Sequence, residues 1–201
     1  MLYLALVQSE KAHAKVLSVD ATKALEIDGV YGFVTVKDIP ENGKNVPNDH
    51  GILGFDNSDM FADGEVTHVG HTIGAIAAED PNTARRAAKL VEVKYEELKP
   101  ILTIEEAKAA ESFYGVPLDF AKKGEELEKT LENSQHRLKG NVTIGGHEHA
   151  YMETQAALVV PGEGGEYEAW SSTQSPFIMH AAVANLLGTT MDKVNIKTKR
   201  V

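Results

Sequence analysis

Three places in the chain hold side chains whose types and spacing could do chemistry. His147-Glu148-His149 is the first. In an extended segment residues two apart face the same way, so both imidazoles could reach one ion. Two histidines do not make a site, and no third ligand stands at a suggestive spacing; a hydrogen-bonded structural pair is the plainer alternative. The same choice applies to His68 and His71, which flank Val69-Gly70, a place where glycine would serve a bend. The third is Ser172-Thr173-Gln174-Ser175-Pro176, a polar strand-to-helix turn. Read alone, it is a cap, with Ser175 at the N-cap and Gln174 solvated at the strand end. No Gly-x-Gly-x-x-Gly, Gly-x-x-x-x-Gly-Lys-Ser/Thr or Gly-x-Ser-x-Gly occurs, so nucleotide-binding and α/β-hydrolase readings find no local support.

Composition narrows the chemistry further. The 201 residues contain no cysteine, so a zinc–thiolate site or a thiolate-held iron–sulfur cluster cannot form here, and redox chemistry needs a bound cofactor or another segment. A formal charge of −10 would repel a phosphate backbone, which argues against a nucleic-acid partner. No apolar run approaches the length of a membrane span and the first residues lack the marks of a signal peptide, so a soluble, cytoplasmic protein is expected.

The elements that must position these residues follow from periodicity. Apolar runs from Leu2 to Val7 and Ala14 to Val19 read as strands, Asp20 can cap a short helix, and Val30 to Val36 reads as a buried strand. An unusually long polar connection follows, from Glu41 to about Met60. Next come strands Val66 to Val69 and Thr72 to Ala78, a helix from Pro81 to Leu90 capped by Asp80, a strand Val91 to Tyr95 and a short helix from Glu105 to Glu111. A charged stretch around 115 to 135, with a helix near Glu125 to Leu131, reads as a linker. Beyond it, Arg137 to Ile144, Gln155 to Val160 and Tyr167 to Ser172 are expected to form a strand meander. A helix from Pro176 is closed by Gly188, and a final strand runs from Lys193 to Val201 without a terminating feature.

Several segments, in order, resemble the xanthine dehydrogenase and aldehyde oxidase family: Ala12 to Val16 with Ser18 to Asp20, Phe61-Ala62 with Val66 to Ala75, Val93 to Leu98, Ser112 to Gly115, and Gly145 to Thr154. In the last block Ala150 stands where an aromatic is usual and His147 where an amide or acid is common. The resemblance implies an α+β chain: an α/β hammerhead domain over 1–110, a linker over 111–135, and over 136–201 the truncated start of a molybdopterin-binding α+β domain. It also implies a molybdenum–molybdopterin cofactor, with FAD and 2Fe-2S clusters on other segments. The reaction implied is insertion of water-derived oxygen into a purine, heterocycle or aldehyde by an enzyme that is a homodimer.

The same resemblance matches Gln174 to a glutamine beside the metal, and sets Leu53 and Phe55, within Ile52 to Asn57, at the substrate entrance. The base glutamate, the substrate arginine and a glycine-rich loop are expected beyond Val201, so no catalytic residue is assigned here and the isolated chain is expected to be inactive. Met152 to Gln155 leans towards aldehyde oxidase, Ser112 to Gly115 towards xanthine dehydrogenase. A non-catalytic binding or assembly module that keeps the hammerhead is the alternative. In the full-length enzyme Phe55→Ala should raise KM more than it lowers Tm; a fall of several degrees in Tm with unchanged kinetics would make Phe55 a loop anchor instead.

Overall fold

The computed structural model of the protein describes residues 1–46, 59–113, 126–152 and 154–199. Its elements run β1 (Tyr3–Gln8), β2 (Ala14–Asp20), α1 (Thr22–Leu25), β3 (Val30–Thr35), β4 (Glu65–Val66), β5 (Thr72–Ala78), α2 (Pro81–Ala88), β6 (Glu92–Glu97), α3 (Ile104–Ala109), α4 (Leu127–Asn133), β7 (Ala157–Pro161), β8 (Tyr167–Ser171), α5 (Pro176–Leu187) and β9 (Val194–Lys197). The chain divides into two compact units: residues 1–113 with 155–201, and residues 114–154. None of the described helices is long and apolar enough to cross a membrane.

In the first unit, β5 is the central strand of an antiparallel sheet ordered β1-β5-β3, and β2 is central in a second one ordered β4-β2-β6. Six of the seven residues of β5 are buried, which is why it reads as a continuous apolar run rather than an alternating one. Its small side chains allow close packing: a Cβ added at Gly74 would lie 2.5 Å from the Phe33 ring. The core joins Val7, Ala14, Val66, Ile73 and Ile76 with Ala87 of α2. Asp80 starts that helix as expected, its carboxylate accepting from the amides of Asn82 and Thr83 at 2.8 and 3.1 Å, with Pro81 in the first turn. Asp20 acts one residue early: Ala21 holds the cap position of α1, while Asp20 accepts from the Thr22 amide and hydroxyl.

The third sheet differs from a meander. β7 and β8 form an antiparallel hairpin, but β9 joins β8 in parallel, with α5 as the crossover. Arg137 to Ile144 is not a strand; Leu138, Val142 and Ile144 are exposed, and no described strand pairs with the segment. Alternation shows only that a segment can pair, and the pairing itself needs a partner. The strand expected from Val66 to Val69 stops at Val66, because the chain turns at Gly70 (φ +89°), whose amide donates to the Ser9 carbonyl. In the second unit α4 buries none of its residues, consistent with its charged sequence.

The same turn buries His71. The Thr67 amide donates to its Nδ1 at 3.4 Å, so Nε2 carries the proton and donates to the Asp59 carbonyl at 3.3 Å. His68 stacks on it at 4.7 Å between ring centroids, with the planes 11° apart. Burial, reinforced by His68, pulls the His71 pKa below its ordinary value. Protonation would also set two donors against each other at Thr67. Because the folded state binds its proton more weakly than the unfolded chain, the stabilisation is complete above the ordinary histidine pKa and is lost as pH falls through the lower folded value. Unfolding free energy should therefore fall more steeply from pH 7.5 to 5.5 in the wild type than in His71→Gln, as measured by urea titration. Equal slopes would remove His71 from this role.

Candidate functional site

The strand-to-helix turn is fixed from both sides. At the end of β8, the Ser172 amide donates to the Ala156 carbonyl at 3.1 Å, and the Ser172 hydroxyl accepts from the Ala156 amide at 2.8 Å and donates to the same carbonyl at 3.2 Å. The Thr173 hydroxyl then accepts from the Ser175 amide at 3.1 Å. Between these two closures Gln174 is exposed, and its carboxamide makes no hydrogen bond among the described residues. The cap expected of Ser175 does not form: its side chain makes no capping bond. Thr173 holds the Ser175 backbone, and Pro176 supplies no donor at the first helical position. The amides of Phe177 and Ile178 are thus left without intrahelical partner or cap.

β8 and β9 are parallel neighbours with Trp170 opposite Lys197, and a groove of about 530 Å³ lies at their carboxyl ends, lined by Trp170, Pro176, Ile196, Lys197, Thr198 and Lys199. Ligands in open α/β sheets take such places, because helix amides and loop side chains converge there. The Lys197 ammonium sits 4.9 Å from the Trp170 ring centroid and pairs with Glu168, so strand order, cation and aromatic support one another. Sequence reasoning passed over this pairing. The signal was present as the single tryptophan of the chain, two residues before Ser172. A larger hollow of about 640 Å³ between β1, α2 and β6, lined by Leu4, Leu6, Arg85, Val93 and Tyr95 among others, contains none of the candidate site residues Leu53, Phe55 and Gln174.

The histidines have separate surroundings. Parallel stacked rings aim their in-plane lone pairs side by side, so His68 and His71 do not converge on one ion, and both nitrogens of His71 are engaged. His147 and His149 are exposed in the second unit, where Glu148 accepts from the Tyr151 hydroxyl at 3.0 Å. Among the described residues no group of three or more His, Asp or Glu is placed to hold a metal. Leu53 and Phe55 lie outside the described residues.

The turn fits a cofactor that needs hydrogen-bond donors rather than protein ligands to its metal: one neutral carboxamide and two uncapped amides, beside a groove. Residues 1–99 match the model of the aldehyde oxidase and xanthine dehydrogenase a/b hammerhead domain, and residues 109–201 that of the molybdopterin cofactor-binding domain. The xanthine dehydrogenase/oxidase of Gallus gallus is 45% identical over 202 residues, covering 100% of this chain and 14% of that protein. A probable aldehyde oxidase of Caenorhabditis elegans is 41% identical, covering 99% of this chain and 16% of its own length. The chain therefore spans about one seventh of the curated relatives it matches. Among solved structures, the aldehyde oxidoreductase of Desulfovibrio gigas superposes with a TM-score of 0.82 at 23% identity, over 98% of this chain and 23% of that one. Quinoline 2-oxidoreductase of Pseudomonas putida gives 0.80 at 24%, over 100% and 27%. Hammerhead sheets, parallel β8-α5-β9 unit and these matches together make the chain a member of the xanthine dehydrogenase and aldehyde oxidase family, carrying its hammerhead domain and residues of its molybdopterin cofactor-binding domain.

Proposed function

We propose that the chain serves a molybdenum hydroxylase acting on a purine, another heterocycle or an aldehyde, and that Gln174 is the residue of this chain beside the metal. The carrying observation is an exposed carboxamide, without a hydrogen-bond partner among the described residues, on backbone held between the Ser172–Ala156 and Thr173–Ser175 closures. When bound, the molybdenum–molybdopterin group supplies the oxidation that accompanies insertion of water-derived oxygen into the substrate. Gln174 Nε2 would donate a hydrogen bond towards the bound group, where it would stabilise developing negative charge without adding charge of its own. The amides of Phe177 and Ile178 offer further donors to the cofactor, and Trp170 lines the adjoining groove. Leu53 and Phe55 form the apolar side of the substrate entrance, by resemblance.

In this reading residues 1–110 are the hammerhead, 111–135 the linker and 136–201 part of the cofactor domain. FAD and 2Fe-2S clusters on other segments take the electrons, which suits a chain without cysteine. The enzyme is a cytoplasmic homodimer.

A solvated glutamine at a strand end contributes under about 0.5 kcal/mol to stability and nothing to rate. Removing a donor from an oxyanion site commonly costs about 10²–10³ in rate. In the molybdenum-loaded enzyme Gln174→Ala should slow the reductive half-reaction at least about tenfold, at matched metal content and near-constant Tm. A wild-type reductive rate would return Gln174 to the role of a surface residue.

A further inference from the structure

Gln174 begins at one end of α5, and the other end of that helix meets the hammerhead backbone to backbone. Gly188 closes α5 in the left-handed region (φ +62°), and a Cβ there would lie 2.5 Å from the Asn42 carbonyl carbon and 2.7 Å from the Gly43 nitrogen. A Cβ on Gly43 would run into the Leu186 carbonyl oxygen and lie 2.8 Å from Ile39 Cγ2. The two glycines thus face one another across a contact that admits no side chain. It is sealed by the Lys44 amide donating to the Asn185 carbonyl at 2.9 Å.

The next residue carries the contact onward. Asn45 grips Phe61 in both directions, its carboxamide donating to the Phe61 carbonyl at 2.7 Å and accepting from the Phe61 amide at 2.9 Å, while the Met60 amide donates to the Asn45 carbonyl at 2.7 Å. Pro40–Gly43, bonded by the Gly43 amide to the Pro40 carbonyl at 2.7 Å, is therefore tied on one side to α5 and on the other to the residues leading into β4 and β5. A 12-residue helix is a rod of about 18 Å. Fixing its far end against the hammerhead fixes the direction in which its near end points.

We infer that Gly43 and Gly188 are a pair of positioning residues, which register α5, and with it Gln174, against the hammerhead. This rests on the reading of Gln174 as the cofactor-side residue. A glycine at the end of a helix is common for conformational reasons alone. Gly164 separates that cause from the contact, because it has nearly the same backbone (φ +64°) with open space where a Cβ would go. Gly188→Ala and Gly164→Ala carry the same backbone strain, and only the first breaks the contact.

Hydrogen exchange on this chain tests the joint without cofactor. Gly188→Ala should speed exchange at the Lys44, Met60 and Phe61 amides by at least about tenfold, with Gly164→Ala unchanged there. From the other side, Gly43→Ala should expose the Gly188 and Thr189 amides, which bond to Asn185 and Ala184. Gly43→Ala also serves if Gly188→Ala does not fold. Wild-type protection of these amides in both contact variants overturns the joint.

In the molybdenum-loaded enzyme Gly43→Ala should slow the reductive half-reaction several-fold with metal content unchanged. A wild-type rate there, beside a slow Gln174→Ala enzyme, overturns the positioning role and spares the reading of Gln174. A wild-type rate in Gln174→Ala overturns that reading, while the joint still stands or falls by exchange.

Discussion

Ser172 and Ala156 share three hydrogen bonds, and the position of the whole turn after β8 depends on them. A strand end is ordinarily the frayed part of a sheet, since its last amides and carbonyls have no neighbour. Here one hydroxyl satisfies both backbone groups of Ala156, so the hairpin remains closed up to the residue where the chain turns. Thr173 closes the next step by taking the Ser175 amide. Gln174 is left between two fixed points with its carboxamide unspent, an arrangement that fixes the backbone from which that polar group reaches. The same economy leaves α5 uncapped, so its first free amides stand next to that carboxamide.

The hammerhead solves a different problem, that of packing two three-stranded sheets and a helix with mostly small side chains. The largest fully buried side chains are Ile76 and Val66, while Ala14, Ala24, Ala78, Ala84 and Ala87 are completely covered. Small residues let backbones approach closely, at the cost of less apolar area per residue. The exposed ion pairs that β6 makes, Glu96 with Lys15 of β2 and Glu97 with Lys11 just before it, contribute little energy. Fit, rather than charge, holds this unit. The glycine contact between 43 and 188 extends that manner of packing to the end of α5.

What could be read from the sequence was local. β5, α5 with its Gly188 stop and the Asp80 cap are all encoded within a few residues, and the structure has them at the expected places. The third sheet was misread because pairing is not local: Arg137 to Ile144 has the alternation of a strand without a described neighbour, while β9 finds β8 across α5 in parallel. The Ser175 cap did not form: Thr173 takes the amide of Ser175 itself, and no side chain takes those of Phe177 and Ile178. Trp170 beside Lys197 and Asn45 around Phe61 join residues 27 and 16 positions apart, and no spacing in the sequence announces such pairs. Gln174 was given a role only through family likeness; read alone, its turn left it solvated at the strand end, and the structure has it exposed there.

The most direct test of the account is where the metal lies. A crystal structure of the cofactor-loaded protein, with anomalous data recorded at the molybdenum absorption edge, locates it without reference to activity. The account predicts a metal peak within ~5 Å of the Gln174 carboxamide, the reach of one metal–oxygen bond and one hydrogen bond. A well-occupied peak too far from Gln174 for a single oxygen atom to bridge would contradict it.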